Sequence, residues 1–484
     1  MAGNARAAQM QRVEVVEAVD DAPVRAARTG GLPARSPVAG PEPGRPDHGR
    51  AWRWWAAAVA VAALVVAGLA ALDALRERTA AARRAEVPGL LRPVPDAVHE
   101  VWRGPGLPNR SSVVASGDLL IVGAPDAAGY RVTALDARTG AHRWRQLVAA
   151  GSPGFEGGRF ACPAPAGGDV GAILVCLLTP PTPVYASGEV VADHATVVVF
   201  DASTGERLGR HDVPGVAMGI GRVGDDVVFG AIGTDGAVVV RRLEPVSWHE
   251  RWSYEQAGRL ESDLQLSRAS VEVSGSVVVV DGAELTVLDV DDARPLMTAS
   301  RALALAVVPY RDAFATWTPA LAGRLYDAAG EPTIVLPGTP ARLVVDDGTL
   351  DDVVVVGTGA QVHAIDARDG ATRWAAQGTL APRGVVGARV LVGDAAGYGV
   401  MAGADGRMLW ESPGGFRYRF APLTDGAVVL GQGLDRDGRP TLEARDVRDG
   451  ARYWSTPLPE DVRDLRSVGG WLVARTSSEV VVLG

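Results

Sequence analysis

Cysteine and histidine are the residues of this chain that most readily bind metals, and their spacing does not form a metal site. Cys162 and Cys176 are the only cysteines among 484 residues, and neither belongs to a Cys-x-x-Cys motif. The seven histidines are scattered: His48, His99, His142, His194, His211, His249 and His363. Because zinc sites use such ligands at short characteristic spacings, the sequence does not support a zinc site.

Two glycine-containing segments resemble ligand-binding loops. Residues 219–224, GIGRVG, match the dinucleotide-binding fingerprint, but the strand-like DDVVFG follows where that motif needs a helix N-terminus. The segment with Asp435, Asp437 and Gly438 lacks the third carboxylate of a calcium loop. We interpret both segments as turns. With no Gly-x-Ser-x-Gly elbow present, we predict no catalytic, cofactor-binding or metal-binding residue.

The segment VHAIDARDGATRW is one copy of a repeated unit. Its alternating apolar residues predict a strand, and Asp366 and Gly370 predict a tight turn after it. Trp374 is then expected on a second strand. The same spacing of four and four recurs twice, in Asp136, Gly140, Trp144 and in Asp446, Gly450, Trp454. Weaker copies contain Asp201, Gly205, Asp289, Asp327, Gly406 and Trp410. Residues required in every unit are architectural rather than catalytic.

The repeats predict an all-β fold. Each interval holds about four short apolar runs with Gly-rich turns, which is typical of a β-propeller. The last run, SSEVVVLG, stops at Gly484 where a turn should begin, and HEVWRGPG starts with an unpaired tryptophan strand. We therefore expect the N-terminal and C-terminal strands to complete one shared blade. We predict about eight four-stranded blades, within a range of seven to nine, because the unit from Arg241 to Trp252 lacks both Asp and Gly.

The Asp-x-x-x-Gly-x-x-x-Trp repeat resembles that of the quinoprotein-like (PQQ-repeat) β-propellers over about residues 99–484. That group contains pyrroloquinoline-quinone dehydrogenases and a non-enzymatic lipoprotein of outer-membrane assembly. The dehydrogenases hold their cofactor beneath two neighbouring cysteines and beside a calcium ion. Cys162 and Cys176 are not neighbours, and no acidic cluster suggests a calcium site. The resemblance therefore implies the fold, and we expect no cofactor.

The N-terminal part predicts a membrane anchor. Residues 54–72, WWAAAVAVAALVVAGLAAL, are 19 uncharged residues, a helix of about 28 Å against a hydrocarbon core of about 30 Å. A cleaved signal peptide is the alternative, although some fifty residues precede the run. We predict a disordered cytoplasmic tail over residues 1–51, a transmembrane helix over 52–73, a stalk and linker over 74–98, and the propeller over 99–484.

Composition and charge restrict the partners and the compartment. The net charge of −9 excludes a phosphate-binding basic surface and thus a nucleic-acid partner. The chain has no lysine and much alanine, which is typical of GC-rich actinobacterial coding. Arginines flank both sides of the apolar run, so the positive-inside rule does not decide its orientation. Cys162 and Cys176 lie on two adjacent strands of one predicted hairpin and form either a disulfide, as in an oxidising compartment, or two buried thiols.

These observations favour a single-pass membrane protein whose extracytoplasmic propeller binds an unidentified protein of the cell envelope. The family resemblance and the disulfide candidate favour the outside location. We expect residues 177–196, LLTPPTPVYASGEVVADHAT, to form the partner-contacting loop, because a Pro-rich excursion from a blade contributes little to the ring. The alternatives are a PQQ-dependent dehydrogenase and a solute-sensing ectodomain.

Overall fold

The structure is a computed structural model. It describes residues 87–105, 112–126, 129–150, 159–165, 167–179, 184–186, 189–191, 194–318, 321–394, 396–413, 421–458 and 461–484. The predicted tail, the predicted transmembrane helix and residues 74–86 of the predicted stalk lie outside this part of the chain. Within it, no helix combines the length and the apolar character needed to cross a membrane.

The described residues form nine four-stranded antiparallel sheets, the blades of a β-propeller. After β1 (Glu100–Pro105), blade 1 contains β2 (Ser112–Ser116), β3 (Leu119–Asp126), β4 (Gly129–Asp136) and β5 (His142–Ala150). Blade 2 contains β6 (Arg159–Ala161), β7 (Ile173–Thr179), β10 (Ala195–Asp201) and β11 (Arg207–Val213), and β8 (Val184–Ala186) and β9 (Glu189–Val191) form a separate hairpin. Blade 3 contains β12 (Val216–Val223), β13 (Asp226–Ile232), β14 (Ala237–Leu243) and β15 (Glu250–Arg259).

A short helix, α1 (Asp263–Arg268), precedes blade 4, which contains β16 (Ser270–Ser274), β17 (Val277–Asp281), β18 (Leu285–Asp289) and β19 (Pro295–Ala299). A 3-10 turn (Arg301–Leu303) leads to blade 5, which contains β20 (Ala306–Tyr310), β21 (Ala313–Thr318), β22 (Leu321–Tyr326) and β23 (Pro332–Leu336). Blade 6 contains β24 (Thr339–Pro340), β26 (Val353–Gly357), β27 (Gln361–Asp366) and β28 (Thr372–Gln377).

Blade 7 contains β29 (Pro382–Val386), β30 (Arg389–Gly393), β31 (Gly397–Ala402) and β32 (Met408–Pro413), with β25 (Val345–Asp346) added in parallel beside β29. Blade 8 contains β33 (Leu423–Thr424), β34 (Val428–Leu434), β35 (Pro440–Asp446) and β36 (Arg452–Pro457). Blade 9 contains β37 (Asp464–Val468), β38 (Trp471–Arg475), β39 (Glu479–Leu483) and β1.

The four strands of each blade are named a to d in the order in which they pair. Strands a of neighbouring blades contact each other, as β12 and β16 do, whereas strands d such as β28 are largely exposed. Strand a is therefore the inner strand and strand d the outer one. The core lies between facing blades, where consecutive residues of strands b and c are buried on both faces of each sheet. In an antiparallel sheet the a–b and c–d turns share one face of the ring, and the b–c connections lie on the other.

The predicted closure of the ring is confirmed. Strand β1 pairs antiparallel with β39 in blade 9, and His99 and Gly484 exchange two backbone hydrogen bonds of 3.0 Å each. Asp366 and Ala371 are joined by the corresponding N–H···O bond in the c–d turn of blade 6. The two ends thus meet inside a c–d turn. This pairing covers the edge of β39 that would otherwise be the open outer edge of a three-stranded blade.

The repeated tryptophan joins each blade to the next. Its indole N–H donates to a carbonyl in the following c–d turn at 2.7–3.2 Å, in the pairs Trp102–Ala137, Trp144–Ala202, Trp252–Val290, Trp374–Gly403 and Trp410–Val447. The turn glycine lies under the indole ring. At Gly406, where φ is +71°, an added Cβ would lie 2.4 Å from the Trp374 ring, so only glycine fits. These contacts explain the Asp-Gly-Trp spacing as architecture.

The count of nine blades lies inside the predicted range and is one more than the eight predicted, because the unit ending at Trp252 is a full blade. Its c–d turn keeps the backbone hydrogen bonds of the repeat with Glu244 in the Asp position and Trp248 in the Gly position. The Glu244 carboxylate accepts from the backbone N–H of Val246 and Ser247. Trp248 adopts the left-handed φ of +61° that glycine adopts elsewhere. The two substitutions removed the sequence pattern but not the turn.

Candidate functional site

The axis of the ring is the first place to look for a site, because the inner strands of all blades converge there. A segment before β1 lies across it. We call residues 87–98 the strap. Its Leu91 N–H donates to Thr424 O of blade 8, and its Arg92 N–H donates to Gly470 O of blade 9, each at 2.8 Å. Leu90 packs with Val345, inside blade 7.

The strap also reaches blades 1 and 2. The Arg92 guanidinium donates to the Asp118 carboxylate at 2.8 Å and to Gly117 O at 3.0 Å, both in the a–b turn of blade 1. It lies 3.9 Å from the centre of the Trp471 ring. Pro88 lies against Gly167 of blade 2. A segment that contacts the inner ends of five consecutive blades must lie across the axis.

The strap then runs outward between blades 8 and 9. The Val94 N–H donates to the Asp425 carboxylate at 2.9 Å, and Pro95 O accepts from the Trp454 indole at 3.0 Å. Pro95 therefore replaces the c–d turn carbonyl that the cut turn of blade 9 would otherwise supply. Residues 87–98 of the predicted stalk and linker are thus packed on the propeller rather than extended from it.

The a–b connection of blade 2 is the second segment at the axis. Residues 162–172 replace a short turn and hydrogen-bond to the inner strand of blade 1, where Ala115 N–H donates to Gly168 O at 2.7 Å and Val170 N–H donates to Ala115 O at 2.8 Å. Cys162 follows β6 and lies directly opposite Cys176 of β7, with a Cα–Cα distance of 4.1 Å. The two sulfurs are bonded, and both side chains are buried. This bond holds the base of the connection.

The a–b connection of blade 6 is the third segment at the axis. Residues 341–352 leave the blade, form β25 beside the inner strand of blade 7, and return. Arg311 of blade 5 holds this connection, because its guanidinium donates to Leu350 O at 2.8 Å and to Asp351 O. Arg311 has a left-handed φ of +52° at a turn position where Gly117, Gly224 and Gly275 have similar angles. The strain is retained where the guanidinium is needed.

A cavity of about 650 Å³ remains at the mouth of the axis between blades 4, 5 and 6. Its charged lining residues are Glu272, Arg311, Asp312, Arg342, Asp346 and Asp351. Arg342 pairs with Glu272 at 3.2 Å and Arg311 with Asp346 at 3.4 Å. Burial raises the pKa of Tyr310 to about 12, so its hydroxyl stays protonated and donates to Val353 O. The lining has charged side chains that are largely paired with one another. It offers no nucleophile next to a base.

The segment with Asp435, Asp437 and Gly438 is a turn, as the sequence indicates, whereas residues 219–223 of the other segment lie in strand β12 and only Gly224 lies in a turn. Residues 219–224 end in the a–b turn between β12 and β13. The Asp435 carboxylate accepts from the backbone N–H of Asp437 and Arg439 within a b–c turn. Among the residues that the structure describes, no group of three or more His, Cys, Asp and Glu side chains could hold a metal ion.

The predicted contact loop, residues 177–196, is more regular than its sequence indicates. Its first three residues complete β7, and its last two begin β10. Between them, β8 and β9 form a two-stranded hairpin that pairs with no other strand of the described chain. Strand β7 ends and β10 begins on the face of the ring opposite the a–b and c–d turns, because they are strands b and c of blade 2. The hairpin does not contribute to the ring's sheets.

The sequence did not point to the strap as a functional element. The signal that could have revealed it is the pair Leu90 and Leu91 within VPGLLRPVPDAV, because adjacent leucines between prolines are unusual in a solvated linker. Both leucines are buried, with 5% and 6% of their surface exposed. Their partners come from distant blades, so no local pattern identifies them.

Comparison with known proteins gives one family match. The family model described as outer membrane protein assembly factor BamB matches residues 193–390 and 358–484, which together are more than half of the chain. The sequence matches no curated protein.

Three solved structures are similar at low identity. BamB from Moraxella catarrhalis is 14% identical, with 80% of this chain and 99% of that chain covered and a TM-score of 0.43. Sqt1 from Saccharomyces cerevisiae is 10% identical, with 80% and 98% covered and a TM-score of 0.43. A europium-containing methanol dehydrogenase is 11% identical, with 80% and 93% covered and a TM-score of 0.41.

Proposed function

The chain belongs to the family of the outer membrane protein assembly factor BamB, and from this premise we propose that it is a protein-binding scaffold of the cell envelope. In this proposal the predicted helix over residues 52–73 anchors it in the cytoplasmic membrane, and the propeller lies on the extracytoplasmic side. The bonded pair Cys162–Cys176 supports that side, because disulfides persist in oxidising compartments.

The filled axis is the observation that carries the proposal. In the quinoprotein dehydrogenases that the repeat resembles, the cofactor is held at the propeller centre. Here the strap and the a–b connections of blades 2 and 6 occupy the inner ends of most blades. The remaining cavity has a largely self-paired lining. Recognition by the outer surface of the ring fits this arrangement better than chemistry at its centre.

Residues 180–194 are the contact element in this proposal. They leave blade 2 on one face, and β8 and β9 are not part of any blade. An excursion that adds no strand to the ring is free to serve recognition, because its sequence is not constrained by packing between blades.

Capture from intact cells tests the proposal. Cells that express the tagged full-length protein are treated with a membrane-impermeant crosslinker, and partners are identified after solubilisation. We expect one discrete envelope protein with the wild-type chain and none when a Gly-Ser turn replaces residues 180–194. This deletion spares β7 and β10 and should leave the melting temperature unchanged.

A matched control alters the b–c turn of blade 8 on the same face with Arg436→Ala and Asp437→Ala, and should retain the partner. Equal capture with and without residues 180–194 would refute their role. If pyrroloquinoline quinone with calcium raises the melting temperature, the dehydrogenase alternative is correct, since a ligand of the native state stabilises it.

A further inference from the structure

The strap is bound to the ring as a peptide ligand is bound to a receptor. It has no helix or strand between residues 87 and 99, and few of its backbone groups bond to each other. Instead its N–H groups donate to Thr424 O and Gly470 O of the ring, and its Leu90 O accepts from Ser467 Oγ at 3.0 Å. Backbone bonds to a preformed framework, with side chains in separate pockets, are the usual mode of peptide recognition.

Three side chains give this contact its specificity. Leu90 enters an apolar cluster shared by blades 7 and 8, and Leu91 enters a different cluster shared by blades 8 and 9. Arg92 combines an ion pair with Asp118 and a position over the Trp471 ring. Arginine over tryptophan is a favourable cation–π arrangement. The sequence pattern that the ring recognises in the strap is therefore two adjacent leucines followed by arginine and proline.

We propose that this surface, which we call the strap groove, is a docking site for a partner protein and that the strap occupies it in cis as an internal competitor. The groove consists of the inner ends of blades 7, 8, 9 and 1. Its occupant in trans is a segment of the partner with adjacent leucines followed by arginine. The inference rests on the proposed scaffold function and adds a second, regulated contact to it, on the face opposite the one where residues 180–194 leave blade 2.

Competition follows from the covalent connection. A strap attached next to β1 is present at a high effective concentration, so a free segment reaches only the fraction of molecules whose strap has left the groove. The apparent affinity for the free segment is reduced by that fraction. Substitutions that weaken the strap should therefore tighten binding of the same sequence added in trans.

The test uses a fluorescent peptide with residues 86–98, EVPGLLRPVPDAV, and the full-length protein. We expect the variant Leu90→Ala/Leu91→Ala to bind this peptide at least about tenfold more tightly than the wild type. A scrambled peptide is the control. Arg92→Ala is the second protein variant, because it removes no buried apolar side chain and tests the idea should the leucine variant fail to fold.

Specificity at the arginine gives an independent readout. The peptide with Arg92→Ala should bind the weakened protein more weakly than the wild-type peptide, and this difference should become smaller when the protein also carries Asp118→Asn, which leaves the contacts of Arg92 with Gly117 O and the Trp471 ring in place. Equal binding to weakened and wild-type proteins, or binding of the scrambled peptide, would overturn the proposal. Exchange of straps between two copies, seen as dimers of the weakened variant, would assign the groove to a second copy instead.

Failure of this test and failure of the scaffold proposal are distinguishable. Capture that depends on residues 180–194 does not involve the strap groove. If the peptide does not bind while capture persists, only the proposal of the strap groove is refuted, and the scaffold proposal stands.

Discussion

At the scale of residues, the contact between Trp374 and Gly406 shows why a repeated motif need not be a site. The indole of one blade lies on the turn of the next, and its N–H donates to Gly403 O in that turn. Both residues serve the joint between two blades. The joint can also be built in another way, because the joint between blades 2 and 3 has neither the tryptophan nor the glycine in its usual place.

Blade 2 has Gly209 in the tryptophan position, and blade 3 has Trp248 in the glycine position. Trp248 stacks on His211, with ring centres 4.2 Å apart. The His211 Nε2 lies 3.2 Å from Pro245 O, the carbonyl that would otherwise accept from a tryptophan of blade 2. The pair His211 and Trp248 thus makes both contacts of the repeat from exchanged positions.

This exchange predicts a compensating pair of mutations. Gly209→Trp should lower the free energy of unfolding by about 1–3 kcal/mol through overpacking, and Trp248→Gly by about 2 kcal/mol through lost ring contacts. The double variant restores the common motif, so its loss should be smaller than the sum of the two by at least about 1 kcal/mol. Urea denaturation measures all three.

The comparison has an internal control. Gly438→Ala also changes a glycine of positive φ, but nothing lies within 4 Å of its added Cβ, so it should not couple to Trp248→Gly. Strict additivity of Gly209→Trp and Trp248→Gly would show that the two positions do not share one space.

At the scale of elements, blade 9 has a c–d turn that is cut. Counting back from Trp102, Pro95 holds the position of Ala367 in the blade 6 turn, and Gly484 holds that of Asp366. A peptide bond from residue 484 to residue 95 would therefore create a turn of the repeat's own length.

A circular permutant tests this geometry. Gly484→Asp is joined directly to Pro95, which removes residues 1–94 and with them Leu90, Leu91 and Arg92 of the strap, and new ends are opened in the exposed turn after Asp437. We expect a folded β-protein with one cooperative melting transition, because every strand keeps its partner. Circular dichroism and calorimetry measure this.

The control inserts three glycines at the same joint, which should lower the melting temperature by lengthening the turn. A permutant that melts in two steps, or whose melting temperature is no higher than that of the glycine-extended form, would contradict the equivalence of the two turns.

The elements differ in how far their sequence reveals them. Strands b and c were predictable, because short apolar runs such as VVVV at residues 353–356 are typical of strands that are buried on both faces of a sheet. Blade 3 was discounted because its turn has Glu244 and Trp248 in place of the usual Asp and Gly. The turn nevertheless keeps the backbone hydrogen bonds of the repeat. The β8–β9 hairpin was interpreted as irregular, because three prolines, Pro180, Pro181 and Pro183, precede it and it pairs with no blade.

At the scale of the whole molecule, many c–d turns depend on an ionised carboxylate. The pKa of Asp201 is lowered to about 2, first by the Ser203 hydroxyl and then by backbone N–H groups. Arg143, the Arg368 N–H and Arg448 are the largest causes of lowered pKa values at Asp136, Asp366 and Asp446. These groups are distributed around the ring, so their protonation acts on all of it.

The sign of the pH dependence follows from these shifts. A carboxyl group whose pKa is lower in the folded state stabilises that state above the unfolded value of about 4. This stabilisation is lost as the pH falls through the folded value, near 2 for Asp201. We expect the melting temperature to be nearly constant from pH 7 to 5 and to fall steeply between about pH 4 and 2. Calorimetry measures it.

Asp201→Asn provides the matched variant. Its amide keeps the turn oxygen and does not titrate, so its melting temperature should approach that of the wild type at low pH. A wild-type curve that stays flat to pH 2 would contradict the role of these carboxylates.

The candidate sites were only partly accessible from the sequence. The excursion at residues 180–194 was identified by length and proline content, which are local properties. The pairing of Cys162 with Cys176 follows from a hairpin register and could be proposed as one of two alternatives. The strap groove could not be predicted, because Thr424, Gly470 and Asp118 come together only when the ring closes.

The composition of blade 9 also determines when the ring can close during synthesis of the protein. Its outer strand β1 is among the first propeller segments that the ribosome releases, and its partner β39 is the last. Until β39 has been synthesised, β1 has no partner strand, and the contacts of the strap with blades 7, 8 and 9 cannot all form. The ring therefore stays open while the blades between β1 and β39 are synthesised, and the unpaired edge of β1 is exposed to aggregation during that time.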